Sequence, residues 1–323
     1  MTYLSDREFY QKGFPLTWDN TMRVSFSECP RKWYWFMRGL DYSFTPIYFT
    51  WGRAWHAIML TWHSFKQPDD PMSSEYDEQK LLALQAGFDV WDSETDGPGD
   101  GINSRARLQQ VFEGYLEVFP YDPFRIIELG GEAGWTYPIH HPESGEPTKY
   151  MNAGSLDGII DWPGYGILVL ENKSTSVYLA DNYIQQWDFS PQVKNYNWYY
   201  KMISGESNGT LVNMVTKNVP GPRSNWSTER ATRTIIKHSA NELAQHEAKI
   251  YYDIMRAKFH WKRWFWPLTD NPINCVGGIG KSPCLFKDLC RIPGDYRDID
   301  LSIYKNISPR KGDWTPWARQ GDV

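Results

Sequence analysis

The chain has 323 residues, of which 41% are hydrophobic and 23% are charged, so a sizeable core can form and global disorder is not expected. Its formal net charge of −5 argues against a general electrostatic nucleic-acid binder, and any such partner must be held by a local groove. The charged N-terminus lacks the apolar stretch of a signal peptide, and no apolar run is long enough to span a membrane. We therefore expect an intracellular, cytoplasmic protein without a membrane partner.

Helical patterns dominate the N-terminal part of the chain. Pro30 can start a helix that Gly39 can end, and Trp55, Met59 and Trp62 recur at helical spacing. Short stretches rich in Pro, Gly, Asp and Ser interrupt this pattern as loops. The predicted helices are 30–39, 51–65, 75–92 and 103–119, with an irregular arm over 1–16 and loops at 67–74 and 95–101.

Beyond Pro123 the pattern changes to short strands separated by Gly/Pro turns. A helix should follow Ser190, with Ser190 as its cap, Pro191 at its first position and Gly205 as its stop. A second, long helix with a polar face is predicted over 228–260. The predicted strands are 131–139, 153–162, 166–172 and 210–217.

Helices followed by a compact sheet, and then by another helix and strand, indicate a single α/β or α+β domain with helical elaborations. We expect the whole chain, 1–323, to form one domain in three parts. These are a helical N-terminal part (17–120), a sheet-containing core (123–260) and a C-terminal segment (261–295) rich in Trp, Pro, Gly and Cys.

The stretches GSLDGIIDW and GILVLENKST predict a β-hairpin whose far end carries acidic residues. A turn of three residues would pair Trp162 with Gly166 and place Asp157 opposite Glu171. A turn one residue longer or shorter would make the two acidic residues diagonal neighbours. In either register two carboxylates lie close together.

Side chains on a strand alternate between its two faces, so Glu171 and Lys173 share one face while Asn172 points away. Adjacent carboxylates repel and raise each other's pKa, and a divalent cation removes that penalty. Hard oxygen ligands suit Mg²⁺ or Mn²⁺. A lysine beside the ion can orient or deprotonate a water, or neutralise charge that develops on a phosphate.

A structural role is the alternative for these charged residues. Glu-x-Lys is common on strands, so Glu171 and Lys173 can be a surface ion pair and Asp157 a turn residue. The apolar runs 159–160 and 167–170 argue against a fully exposed hairpin, because they are typical of strands buried on both faces.

The order of these residues resembles a known nuclease signature. Gly154-Ser-Leu-Asp157 followed by Glu171-Asn-Lys173 resembles the PD-(D/E)xK motif. More specifically, the chain is similar to the RecB/AddB-type nucleases and to the iron–sulfur CRISPR-adaptation nucleases, which often occur in phage genomes. The resemblance extends from about Trp18 to Cys290 as an ordered set of short motifs. It implies a restriction-endonuclease-like mixed sheet flanked by helices, and a Mg²⁺- or Mn²⁺-dependent deoxyribonuclease.

The resemblance also implies roles for individual residues. A helical Gly-x-x-x-His motif ends at His56 and implies that this imidazole is a metal ligand, whereas a lone histidine would be read as packed or exposed. Asp157, Glu171 and the backbone carbonyl of Asn172 are implied as further ligands of the ion. Lys173 is implied to serve the attacking water.

Four further residues follow from the same resemblance. Gln192-Val-Lys-Asn-Tyr196 matches a Gln-x-x-x-Tyr motif whose two side chains face the active site and help hold substrate. The alternative is a surface amide above a core tyrosine. Asp161 is implied as an accessory carboxylate, and Glu132 resembles a glutamate that opens the first strand of the core.

The chain has four cysteines, which an intracellular protein uses as metal or cluster ligands, or as core residues, rather than as disulfides. The family resemblance implies a 4Fe–4S cluster on Cys29, Cys275, Cys284 and Cys290 that clips the C-terminal segment to the N-terminal part. Cys275 departs from the pattern, because eight residues separate it from Cys284 where many relatives have a much shorter spacing. A four-cysteine zinc site and unliganded buried thiols are the alternatives.

The expected function is a metal-dependent DNA nuclease, and the resemblance favours an exonuclease acting on DNA ends or single strands in recombination, end processing or CRISPR-type processing. An endonuclease with flap or single-strand preference is one alternative. Another is a catalytically silent module that binds DNA or a helicase or recombination partner. The basic–aromatic run 259–266, with Lys262 and Arg263, can be a DNA-contacting wall or a packing belt.

Overall fold

The computed structural model describes residues 4–65, 72–129, 134–221, 224–278, 282–292, 295–298, 307–310 and 314–315. Within these residues helices and strands are mixed, which confirms the predicted α+β class. The helices are α1 (Asp6–Gln11), α2 (Asn20–Glu28), α3 (Pro30–Met37), α4 (Ile47–Ser64), α5 (Ser74–Glu94), α6 (Arg105–Val118), α7 (Asp181–Gln185), α8 (Pro191–Ser204), α9 (Ala240–Arg263) and α10 (Ile273–Val276). The strands are β1 (Thr17–Asp19), β2 (Leu40–Tyr42), β3 (Gly99–Asp100), β4 (Asn103–Ser104), β5 (Arg125–Leu129), β6 (Gly134–His140), β7 (Pro147–Ser155), β8 (Gly158–Trp162), β9 (Gly166–Thr175), β10 (Thr210–Thr216), β11 (Ala231–Ile236) and β12 (Ile307–Pro309).

The four helices predicted in the N-terminal part are present as α3, α4, α5 and α6. Pro30 occupies the first position of α3, and Gly39 follows that helix with φ +85°, a conformation that favours glycine. The expected irregular arm was wrong in one respect, because it contains α1. Ser5 and Glu8 form a reciprocal capping box that starts this short helix.

A five-stranded mixed sheet, in the order β11-β10-β9-β8-β5, carries the acidic hairpin. Strand β9 lies at its centre, parallel to β10 and antiparallel to β8. Helix α8 crosses over from β9 to β10 on one face, where Val193 packs with Val212 and Met214. Helices α4 and α6 cover the other face, in a core that includes Val215 and Ala231. The central strand is therefore buried between two helical layers.

A second core lies under a three-stranded sheet of order β1-β7-β6. Tryptophans of distant segments fill it: Trp18 stacks on Trp33 with ring centroids 5.1 Å apart, and Trp266 lies 4.9 Å from Trp33. Ile254 of α9 belongs to the same core. Helices α2, α3 and α9 are thereby held on this sheet.

Two predicted segments are wrong in their boundaries. The long helix over 228–260 is instead strand β11 followed by α9, because Ser239 and Glu242 form a capping box that starts the helix at Ala240. The single strand over 153–162 is two strands, β7 and β8, which belong to different sheets. The loop over 67–74 and the strand over 131–139 lie partly outside the described residues, and Glu132 lies wholly outside them.

The C-terminal segment packs back onto the junction between α2 and α3. Arg31 Nε donates to the carbonyl of Trp266 at 2.8 Å, and Asn274 Nδ2 donates to the carbonyl of Glu28 at 2.7 Å. In the basic–aromatic run, Trp266 is fully buried, whereas Trp264 is half exposed and stacks on Tyr10. Trp266 thus packs into the core, whereas Phe259, Lys262, Arg263, Trp264 and Phe265 are exposed. None of the helices in the described residues combines the length and apolarity needed to cross a bilayer.

Candidate active site

The hairpin of β8 and β9 has the register that a three-residue turn predicts. Trp162 pairs with Gly166, and the ladder runs back to Gly158 opposite Leu170. One step further along, Asp157 lies beside Glu171. The first of the two registers considered from the sequence is therefore confirmed, and it brings the two acidic residues to the same point of the sheet.

Asp157 is held by two donors at the start of β8. Its Oδ2 accepts the backbone N–H of Asn172 at 2.6 Å, and its Oδ1 lies 3.2 Å from Nδ1 of His56. Burial alone would raise the pKa of Asp157, but His56 and the Asn172 N–H hold it below its ordinary value. The charge of Asp157 in turn raises the pKa of His56, against the effect of burial. Helix α4 thus delivers an imidazole to the end of the hairpin.

Glu171 is almost fully buried, with 1% of its surface exposed, and forms an ion pair with Lys173. Burial raises the pKa of Glu171, Lys173 opposes this, and the nearby Asp157 adds to it. Burial alone would lower the pKa of Lys173, but the Glu171 carboxylate raises it above its ordinary value. Lys173 is therefore an ammonium group at neutral pH.

Helix α8 completes this cluster with the predicted Gln192 and Tyr196. Lys173 Nζ donates to Oε1 of Gln192 at 3.0 Å, and Gln192 Nε2 donates to the hydroxyl of Tyr196 at 2.6 Å. The Glu171 carboxylate also lies near the Tyr196 hydroxyl. Burial, together with the charges of Glu171 and Asp157, raises the pKa of Tyr196 well above its ordinary value. The tyrosine is therefore a neutral donor.

The structure thus brings residues from four separate stretches of sequence to one place, which we call the hairpin site: His56, Asp157, Glu171, Lys173, Gln192 and Tyr196. The His56–Asp157 pair is linked to the strand that carries Glu171 and Lys173 through the backbone N–H of Asn172. Asp161 is not part of it. Asp161 pairs with Ile167, four residues along β9 from Glu171, and its carboxylate forms an ion pair with Arg125 at 3.2 Å. At about 3.3 Å per residue, this separation is roughly 13 Å along the strand.

Asn172 contributes to the hairpin site through its backbone, while its side chain points to the opposite face, as predicted. There Oδ1 of Asn172 accepts Nδ2 of Asn213 at 2.8 Å, and the same amide nitrogen lies 3.0 Å from the hydroxyl of Tyr115. Both asparagines are buried. A polar chain therefore begins directly behind the site.

This network of polar side chains continues to helix α4 through residues that the sequence patterns did not single out. Arg233 of β11 donates to the Tyr115 hydroxyl at 2.6 Å and forms an ion pair with Asp122. Asp122 Oδ2 lies 2.8 Å from Nδ1 of His63, which is on the same helix as His56. The sequence pattern that could have placed Arg233 on the sheet is the alternation of residues along β11, which is typical of a strand rather than a helix. This buried network ties β9, α6, β11 and α4 together.

The two carboxylates of the hairpin site suit Mg²⁺ or Mn²⁺ in kind, because these ions prefer oxygen ligands, and the imidazole of His56 adds a nitrogen donor. The carboxylates are also near enough for Asp157 to raise the pKa of Glu171. As the side chains stand, Lys173 pairs with Glu171 and His56 with Asp157. Across the described part of the chain, no three His, Cys, Asp or Glu side chains form a ready-made ion site.

The four cysteines are free thiols on segments that contact one another. Cys29 is buried at the junction of α2 and α3, and the backbone N–H of Cys284 donates to the carbonyl of Cys275 at 3.0 Å. Burial raises the pKa of Cys290 to about 12, with Arg31 opposing and the neighbouring Cys29 and Cys284 adding to it. Cysteine binds metals as the thiolate. The raised pKa of Cys290 means that forming this thiolate in the folded chain costs free energy, and a bound metal would remove that cost. As placed in the described residues, the thiols do not form a converging ligand set.

The fold and the site define a mixed α/β protein with a buried acidic hairpin at the centre of its sheet. No known protein family matches the chain, and a search of curated proteins finds no match to it.

Proposed function

We propose that this chain is a metal-dependent DNA nuclease of the PD-(D/E)xK type, with a restriction-endonuclease-like core. The observation that carries the proposal is the hairpin site: motif residues that are up to 140 positions apart, from His56 to Tyr196, lie together at the end of one hairpin as two adjacent groups of ion pairs and hydrogen bonds. A mixed sheet with helices on both faces and the acidic hairpin at its centre supports the core assignment.

In this proposal His56, Asp157 and Glu171 hold Mg²⁺ or Mn²⁺, together with the Asn172 carbonyl. When bound, the ion would polarise the scissile phosphodiester and lower the pKa of a water. Glu171 has two carboxylate oxygens, so it would be able to hold the ion while it keeps its ion pair with Lys173.

The remaining residues act on substrate and water. Lys173 is positively charged, so it orients the attacking water and neutralises the phosphate, and it is a poor proton acceptor until its pKa falls. Gln192 holds the ammonium group through its 3.0 Å hydrogen bond, and Tyr196 in turn holds Gln192. The two residues of α8 are therefore positioned to fix the lysine towards the reacting phosphate.

The substrate class in this proposal is DNA with ends or single strands, supplied by recombination, repair or CRISPR-type processing with a helicase or recombination partner. A flap or single-strand endonuclease is a second outcome of the same chemistry. The third is a silent DNA-binding module, whose four-cysteine site is structural. The complete set of motif residues in one cluster favours an enzyme over the silent module.

The test is a digestion assay of the purified chain on linear double-stranded, linear single-stranded and circular single-stranded DNA, with Mg²⁺ or Mn²⁺. We expect linear DNA to be degraded, and Lys173→Ala to abolish this degradation without altering the far-ultraviolet circular dichroism. Lys149→Ala, which removes an exposed lysine of β7, is the matched control and should stay active.

Cleavage of circular single strands would select the endonuclease. Binding of DNA without cleavage under any of these conditions would select the silent module. Undiminished degradation by Lys173→Ala would overturn the mechanism.

A further inference from the structure

A cavity of about 620 Å³ opens between α2, α8 and α9, on the far side of α8 from the hairpin site. None of the six residues of the hairpin site lines it. Its walls carry four basic side chains from three helices: Arg23, Lys194, His246 and Lys249. The volume lies within the range of about 300–1,000 Å³ that small-molecule sites occupy.

Arg23 is a buried cation on which Asp19 and Asp253 act electrostatically, but neither forms a direct ion pair with it. Only 6% of its surface is exposed, and its one hydrogen bond runs from Nη2 to Oδ1 of Asn20 at a long 3.4 Å. Its Nε has no partner, and within the described part of the chain no carboxylate forms an ion pair with it. A buried charge left unpaired is costly, and an anion in the cavity would remove that cost.

His246 presents a second unpartnered donor to the same cavity. It is 7% exposed, and its Nε2 has no hydrogen-bond partner. Burial lowers the pKa of His246 well below its ordinary value, and the charges of Arg23 and Lys194 lower it further. Three cations, Arg23, Lys194 and Lys249, therefore lie near this buried imidazole, and a group of cations around a cavity favours an anion.

The acidic residues that line the cavity are already engaged. Glu28 forms an ion pair with Lys32 at 2.6 Å, and Glu242 accepts from the backbone and hydroxyl of Ser239 at 2.8 Å. Asp253 forms ion pairs with Lys249, the fourth basic residue of the cavity, and with Arg256 one turn away on the same helix. Each of these carboxylates therefore has a partner of its own. Asp253 and Glu242 also act electrostatically on Arg23 and Lys194, but within the described residues they form no ion pair with them.

We propose that this cavity binds a phosphate monoester, with Arg23, Lys194 and His246 as its donors. Phosphate oxygens accept several hydrogen bonds at once, and a guanidinium matches them in shape. The cavity is much larger than a phosphate, and the exposed Phe189 at its rim offers a ring on which a base can stack. The ligand is therefore a nucleotide, either free or as the phosphorylated end of a strand. The choice of a nucleotide as the ligand rests on the proposed nuclease function. The assignment of a phosphate site is independent of that function.

The test is isothermal titration calorimetry of the full chain in a phosphate-free buffer with a chelator, so that cleavage does not interfere. The probes are inorganic phosphate, deoxyadenosine monophosphate, deoxyadenosine, and one oligonucleotide with either a 5′-phosphate or a 5′-hydroxyl. We expect the phosphorylated probes to bind and deoxyadenosine to give no heat. Tighter binding of the 5′-phosphorylated oligonucleotide than of the mononucleotide would identify a strand end as the source.

Lys194→Ala and Arg23→Gln should each weaken binding by about tenfold or more, the value of one charge-assisted hydrogen bond. Lys201→Ala, on the same helix but away from the cavity, is the matched control. If Arg23→Gln does not fold, Lys194→Ala alone decides. No heat with any phosphorylated probe, or unchanged binding by Lys194→Ala, would overturn the site. Because digestion is assayed separately, a chain that binds phosphate but does not cleave DNA would sink only the nuclease proposal.

Discussion

Lys173 at the end of β9 and Gln192 in the first turn of α8 are joined by a 3.0 Å hydrogen bond from Nζ to Oε1. This bond fixes the direction of the buried ammonium group relative to the hairpin. It therefore makes the crossover helix a part of the site rather than a mere support for the sheet.

Replacing Gln192 by Ala should lower the rate of DNA cleavage by about 10- to 100-fold, as is usual when a partner that orients a reacting group is removed. The fold should be unaffected, because Gln192 is only partly buried. Cleavage rates at saturating Mn²⁺ measure the effect. Gln185→Ala, on the exposed surface of α7, is the control, and equal rates for the two variants would contradict a positioning role for Gln192.

Replacing His56 by Ala should raise the Mn²⁺ concentration needed for half-maximal cleavage, because the imidazole beside Asp157 is one of the proposed ligands. The fold-decrease in the cleavage rate at saturating Mn²⁺ should be smaller than the fold-increase in this half-maximal concentration. A titration of cleavage rate against Mn²⁺ separates the two effects. His141→Ala, in the turn after β6, should behave like the wild type. An unaltered Mn²⁺ requirement in His56→Ala would remove this residue from the ligand set.

The polar network behind the sheet should be a large contributor to stability. Arg233→Ala leaves Asp122 buried without its cation, and we expect a loss of about 3–5 kcal/mol in the free energy of unfolding. Arg125→Ala, which removes an exposed ion pair with Asp161 on the same sheet, should cost about 1 kcal/mol or less. Urea denaturation compares the two.

The double variant Arg233→Met/Asp122→Leu provides a second check on this pair. It should be more stable than Arg233→Ala alone, because no unpaired charge is left inside. Equal losses for Arg233→Ala and Arg125→Ala would contradict the importance of the network.

The cysteines predict a metal centre that can be seen directly. Anaerobic purification should give a brown protein with a broad visible absorption, and with iron and acid-labile sulfide in equal amounts. Cys29→Ser should lose the colour and also destabilise the chain, because the cluster would clip the α2–α3 junction to the C-terminal segment. A colourless protein that contains one zinc per chain would select the zinc alternative, and a metal-free, stable protein would leave both proposals without support.

Lys217 provides a prediction on pH. Its Nζ donates to Asn103 Oδ1 at 2.9 Å and lies 4.3 Å from the ring centroid of Trp51, and burial lowers its pKa to about 8. Between about pH 8 and the unfolded value of about 10.4, the unfolded chain keeps a proton that the folded chain has lost. The free energy of unfolding should therefore rise with pH across this window.

The measurement is the stability of the wild type minus that of Lys217→Met, at about pH 7 and about pH 10, since the difference cancels the titration of other groups. This difference should shift in favour of the wild type at the higher pH. Lys237→Met, at an exposed position, should show no such shift. If the stability difference between the wild type and Lys217→Met is the same at both pH values, the pKa of Lys217 is not lowered in the folded chain.

Local signals in the sequence were sufficient for much of this structure. The turn between Trp162 and Gly166 sets the hairpin register, and that register alone brings Asp157 to Glu171. Helix α8 was predictable from its flanking residues, because Ser190 accepts a hydrogen bond from Val193 N and Gly205 adopts a left-handed conformation. These features depend on residues a few positions apart, which a pattern can show.

The rest depends on contacts between distant segments. Arg233 gains its partners Asp122 and Tyr115 only when β11 adds to the sheet, more than a hundred positions away in sequence. The predicted helix over 228–260 therefore includes the residues of β11, although the capping box at Ser239 marks the true start of α9. The cavity between α2, α8 and α9 has no sequence pattern at all, because its basic residues come from three separate helices.

Strand β9 has one further consequence, because Glu171 and Asn172 are successive residues that face opposite layers. They lie in the central strand of the sheet and pair with β10 on one side, while on the other side the ladder to β8 ends at Leu170 and the Asp157 carboxylate accepts the Asn172 N–H. Fluctuations that open such a strand cost close to the full free energy of global unfolding. The backbone hydrogen of Asn172, which is donated to Asp157, should thus be among the last to exchange with deuterated solvent, and Asp157 and Glu171 should separate only in molecules that have lost their tertiary structure altogether.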